Sequence, residues 1–215
     1  MNKLFKSIIL LALAGTAQAD LSANLGYMSE YHFRGILQKV SSTSGGVDYE
    51  SGGFYLGTWA ADVGDGLEVD GYFGYGADVG DVSLSIGYTG YFYTGDFDDT
   101  YQEINLGAGI DMISLDVAIG QYANFGGPTL DYTYYALTLE HEGFYGTVAG
   151  FAQDFEGEYL ELGYGTSLAE IDIGVSLILA NSDLTPDIDL GNGEIFLTGS
   201  DESLIFTVGK SFDLN

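Results

Sequence analysis

From Leu21 onward the chain is written in stretches of about ten residues or more, in which every second residue is apolar. The first is the longest. Leu21, Ala23, Leu25, Tyr27, Ser29, Tyr31 and Phe33 share one parity, and Ser22, Asn24, Gly26, Met28, Glu30, His32 and Arg34 share the other. A period of two gives a strand two faces in two different solvents. Strands of soluble domains run to about five or six residues, whereas a tilted strand crossing a bilayer needs about nine to eleven. Few folds can use so many long alternating strands, and a membrane barrel is one of them.

The later stretches repeat the pattern. Leu67 to Val79 alternates against Glu68, Asp70, Tyr72 and Asp78. Val82 to Phe92, Ile104 to Ile110, Ile113 to Ile119, Leu160 to Leu168, Ile171 to Leu179 and Leu204 to Phe212 do the same. In Phe54 to Val63 either parity could face outward. Tight Gly- and Asp-rich connections fall near 51–53, 80–81, 111–112, 141–143 and 169–170, and longer ones near 36–44, 94–100, 122–130, 154–158 and 181–202, with 64–66 a short exception. Long and short connections alternating along an even number of strands are the signature of a bacterial outer-membrane barrel. The expectation is therefore an all-β fold: a single antiparallel transmembrane β-barrel of about 12 strands over residues 20–215, its long loops outside the cell. Tyr31 and Phe33 are expected in its outer aromatic girdle. A soluble β-sandwich would alternate too, but it would need protected edges, and the chain has only two Pro and few Lys.

Residues 1–19 have the form of an export signal. Lys3 and Lys6 precede the short apolar run Ile8 to Ala14, and Ala17-Gln18-Ala19 is a small-x-small cleavage site. An exported chain without a single Cys needs a good core or a closed hydrogen-bonded sheet to hold it. The formal charge is −27, which excludes nucleic acid as a partner. Extreme acidity usually means disorder, but 46% hydrophobic residues argue for a folded chain with its carboxylates on solvated surface. An acidic channel and a saline habitat both account for that charge.

On the inward parity this register places the pore-lining candidates Glu30, His32, Arg34, Asp70, Asp78, Glu103, Asp116, Glu161 and Asp172. Arg34 is the sole Arg, and it belongs either to a structural ion pair or to a transverse field at a constriction. No Gly-x-Ser-x-Gly elbow accompanies His32 or His141, so no catalytic residues, and no enzyme, are expected. No cofactor is expected either, although Asp96-x-Asp98-Asp99 and Asp187-x-Asp189 with Glu194 offer oxygen ligands of the kind Ca²⁺ takes.

The segment Tyr31-His32-Phe33-Arg34-Gly35-Ile36, with Gln38, Gly46-x-Asp48-Tyr49 and Ser51-Gly52-Gly53-Phe54-Tyr55-x-Gly57-Thr58-Trp59, resembles the start of the TorF-type porin family of bacterial outer-membrane proteins. The resemblance covers about residues 27–60 and implies a porin. The expected partners are outer-membrane lipid and small solutes or ions, which pass by diffusion with a preference for cations. The alternatives are a closed barrel acting as an adhesin or scaffold through its acidic loops, and a soluble secreted binding protein.

Overall fold

The computed structural model describes residues 20–185, 187–189, 195–197 and 201–214. The export signal expected over 1–19 and the side chains of the acidic 187–194 segment lie outside them. The strands are β1 (Asp20–Phe33), β2 (Ile36–Ser51), β3 (Phe54–Gly64), β4 (Gly66–Val79), β5 (Val82–Tyr93), β6 (Tyr101–Ile110) and β7 (Ile113–Tyr122). They continue as β8 (Leu130–His141), β9 (Phe144–Gln153), β10 (Glu158–Leu168), β11 (Ile171–Ala180), the short pair β12 (Asp187–Asp189) and β13 (Ile195–Leu197), and β14 (Glu202–Asp213).

Twelve of these strands close into one antiparallel barrel, in which sequence neighbours pair and β14 joins β11 to β1. Closure leaves no sheet edge, the condition lipid imposes on strands. The β12–β13 hairpin stands apart, in the connection between β11 and β14. One expected loop is absent. Residues 36–44 are the first part of β2, and the first connection is the two-residue turn Arg34–Gly35. Both have positive φ, 52° and 86°, as the mirror-image turns of hairpins require. Ser42, Thr43 and Ser44 look like loop residues in sequence, but they pair with Met28, Tyr27 and Gly26 of β1.

The outer surface is apolar around the whole barrel. Leu25, Phe73, Ile86, Ile119, Leu137, Val148 and Phe206 are each at least half exposed. Water would not tolerate so broad a patch on a monomer, and lipid requires it. Exposed aromatics collect at the tight-turn end: Phe54, Tyr75, Phe144, Tyr164 and Phe212. Phe144 and Tyr164 touch, with ring centroids 4.6 Å apart.

The parity left open in β3 resolves with Trp59, Ala61 and Val63 buried inside and Phe54 and Leu56 outside. The inner wall also explains why this chain is rich in both Gly and Tyr. Inward tyrosines lie flat across a glycine of the neighbouring strand: Tyr72 over Gly57, Tyr132 over Gly120 and Tyr145 over Gly163. A Cβ at any of these glycines would collide with the ring. Each ring covers backbone that a glycine leaves bare.

Candidate functional site in the barrel lumen

The first hairpin does not stay in the wall. β1 pairs with β14 only as far as Met28↔Thr207, and β2 pairs with β3 only from Ser44↔Ala61 onward. Beyond those points residues 30–40 pair with each other alone, as in Glu30↔Val40 and Phe33↔Ile36. Two irregularities release them. Ser41 has a φ of 63°, and the register shifts between Tyr31 and His32. Such interruptions bend a strand and re-aim its side chains.

The freed tip lies across the loop end of the lumen. Arg34, at its turn, reaches Glu103 on β6: Nη2 donates to Oε2 at 2.8 Å and Nη1 donates to Oε1. The same guanidinium sits 4.1 Å from the centroid of the Tyr134 ring on β8 and 4.9 Å from that of Phe33. β6 and β8 are each five strands from β1, one by way of β2 and the other by way of β14, so the clamp spans the barrel's full width. Glu103 is 1% exposed and fully engaged. Besides Arg34 it accepts from Tyr91 Oη (3.0 Å), Tyr132 Oη (2.7 Å) and Asn105 Nδ2 (3.0 Å). A buried carboxylate is stable only when so compensated.

The rest of the tip packs as tightly. Tyr31 donates to Glu68 on β4 and meets Trp59 edge-on at 5.6 Å. Phe33 meets Tyr91 edge-on at 5.2 Å. On the other side, a Cβ added to Gly35 would lie 2.7 Å from the Tyr159 ring and 3.0 Å from Leu184. Lys39 pairs with Asp62 on β3. Tyr122, Tyr132, Tyr134, Phe151 and Tyr159 complete an aromatic core on the wall facing the tip.

Several sequence expectations change here. Tyr31 and Phe33 are inside the barrel, not in the outer girdle, because the tip has left the wall. For the same reason Glu30 and His32 do not line a pore wall. They sit on the tip's opposite face, where they bond to each other at 3.0 Å, and His32 Nδ1 lies 3.4 Å from the Gly35 carbonyl. Arg34 is part of the obstruction, held by the wall rather than belonging to it.

The wall candidates all take inward positions, on two levels. Asp70 and Glu103 stand with Glu68 under the tip. Asp70 is near enough to Arg34, Glu103 and Glu68 to interact electrostatically with each. Its Oδ1 is buried and has no hydrogen-bond partner, and the same holds for Oδ1 of Asp116. Toward the tight-turn end the lumen is polar. Tyr145 donates to Glu161 at 2.5 Å, Thr138 and Thr147 join at 2.8 Å, and Asn24 and Tyr72 both donate to Asp48. Asp78 and Asp172 sit at the rim, bound by Ser83 and Ser167.

His141 is exposed at the end of β8, and His32 has Glu30 and a carbonyl as its partners. The Asp98 carboxylate accepts from Tyr101 (2.8 Å) and Tyr122 (2.7 Å), and Asp99 accepts from the Phe125 amide (2.6 Å). Among the described residues, no three acidic or His side chains group as a metal site would.

The aromatic cage around Arg34 carries no local sequence signal, because its members come from β1, β6 and β8.

A family model for a bacterial protein of unknown function, Gcw_chp, matches residues 12–212. No curated protein matches the chain. Among solved structures, one described as "Unveiling the Mechanism Behind the in-meso Crystallization of Membrane Proteins" aligns with a TM-score of 0.55 at 8% identity, over 91% of this chain and 84% of that one. It shares the fold. OccK2 (OpdF) of Pseudomonas aeruginosa, in complex with glucuronate, aligns at 0.41 and 13% identity, over 92% and 68%. A porin mutant of Rh. blastica aligns at 0.40 and 9%, over 93% and 100%. Those two likenesses are too distant to bear on function.

Proposed function

The chain belongs to the Gcw_chp family of bacterial proteins of unknown function, and we propose that it is a TorF-type porin of the bacterial outer membrane, passing small solutes with a preference for cations. One observation carries the reading: a closed twelve-strand barrel that is apolar outside and carries Glu68, Asp70, Glu103 and Asp116 inside. An interior in which acidic groups outnumber the single guanidinium of Arg34 concentrates cations and excludes anions. Twelve strands fall between small barrels, which side chains fill, and wide aqueous channels. The seated hairpin tip narrows this lumen further, so the conductance is small. No catalytic role is assigned to any residue.

The filled loop end favours a second reading, a closed barrel that acts through its acidic loops as an adhesin or scaffold. Planar bilayers separate the two. Purified protein held under a KCl gradient should give a reversal potential of the sign set by K⁺. An anion-selective potential, or no conductance from barrels shown to be inserted, overturns the porin reading. The second of those results is what the closed barrel predicts.

A further inference from the structure

The group that reaches across the lumen is a guanidinium, and what surrounds it is a recognition site for one. Glu103 meets Arg34 with both oxygens, and the guanidinium carbon sits over the Tyr134 ring, 4.1 Å from its centroid. A planar fork against a carboxylate, with an aromatic ring on its face, selects guanidinium over a compact ammonium ion. Tyr91 from β5, Tyr132 from β8, and Asn105 from β6 itself bond Glu103 independently of Arg34. Beside the cage is Asp70, 4% exposed, with Oδ1 unpartnered. Seated Arg34 therefore leaves a buried polar atom beside the cage without a partner.

Arg34 is also unlike the other parts of the site in how it is held. It comes from a tip whose backbone has no partner in the barrel wall, whereas Glu103, Asp70 and Tyr134 are fixed in continuous ladders. The cage is built into the wall ladders, and its occupant reaches it from outside them.

We propose that this Glu103–Tyr134–Asp70 cage is a binding site for alkylguanidinium cations entering from the loop side, and that Arg34 is its built-in occupant when the hairpin tip is seated. Passage of such a cation through the lumen rests on the porin reading above, but the binding does not.

The test empties the cage. The full-length Arg34→Ala barrel, folded in detergent micelles, should melt about 10 °C below wild type, as expected for a buried charge left without its partner in a domain of this size. Methylguanidinium chloride at about 10 mM, a concentration too low to denature, should restore about half of that loss. Equimolar KCl should restore none, wild type should not respond, and Arg34→Ala/Glu103→Gln should show no rescue. Arg34→Gln takes the same place if Arg34→Ala does not fold. Equal shifts with KCl, or equal shifts in wild type or the double variant, overturn the proposal, as does no rescue at all. Rescue without conductance leaves the binding site standing and removes the porin reading. Conductance without rescue does the opposite.

Discussion

Tyr132 is the side chain on which the interior depends most visibly, and Gly120 is what makes room for it. Tyr132 is wholly buried, donates to Glu103 at 2.7 Å, and stacks on Phe155 with centroids 4.9 Å apart and planes 14° apart. In Gly120→Ala the new Cβ falls 2.6 Å from Tyr132 Oη and 2.8 Å from its Cε2. Ordinary carbon contacts need about 3.5 Å or more, so the ring must move by close to 1 Å. That displacement breaks a hydrogen bond to a charged acceptor, worth about 1.5–3 kcal/mol. It also shears an aromatic pair worth about 0.5–1.5 kcal/mol. The expected loss is about 3 kcal/mol. Gly71→Ala is the internal reference, because nothing lies within 4 Å of a Cβ there. Both substitutions share the modest backbone benefit of replacing Gly in a strand, so their difference isolates the ring. Urea titrations of barrels folded into vesicles measure it, with the single Trp, Trp59 inside the barrel, as the fluorescent reporter. Stabilities of the two variants within about 0.5 kcal/mol of each other would refute the claim that these glycines exist to seat tyrosines.

Two further predictions concern the outside of the barrel and its hinge. Leu137 is 53% exposed on β8; Leu137→Arg should cost about 2–4 kcal/mol if that face meets the bilayer midplane, and a cost below about 0.5 kcal/mol in vesicle-folded protein would show that lipid does not contact it. Ser41, with a φ of 63°, sits where the tip departs from the wall. Ser41→Gly should relieve about 1 kcal/mol of backbone strain, read as a higher urea midpoint with an unchanged slope, and a lower midpoint would mean that this conformation carries no strain.

How much of this was legible beforehand depends on whether a residue answers to its neighbours in sequence or to the opposite wall. Alternation placed Asp70, Glu103, Asp116 and Glu161 on the inward face because strand parity is a local property, indifferent to how the barrel closes. The five tight turns were readable for the same reason. Parity could not follow β1 past Met28. Tyr31 and Phe33 alternate in phase with Leu25 and Tyr27, and nothing adjacent to them says that β14 stops pairing there. β3 was ambiguous because Ala and Gly at 57, 60 and 61 blur the contrast between its two faces.

Period, length and composition are enough to dictate a long-stranded, cysteine-free, acidic barrel with an apolar skin, because each follows from the solvents the two faces must meet. Only the tertiary structure decided that the first hairpin leaves the wall and carries the chain's sole Arg across the lumen into a carboxylate and a ring of tyrosines. That outcome rests on contacts between residues 69 positions apart, Arg34 and Glu103, and on a vacancy in hydrogen-bond pairing. Neither is written in any local stretch, since a strand's tendency to alternate is the same whether its edge is paired to a neighbour or folded into the space behind it.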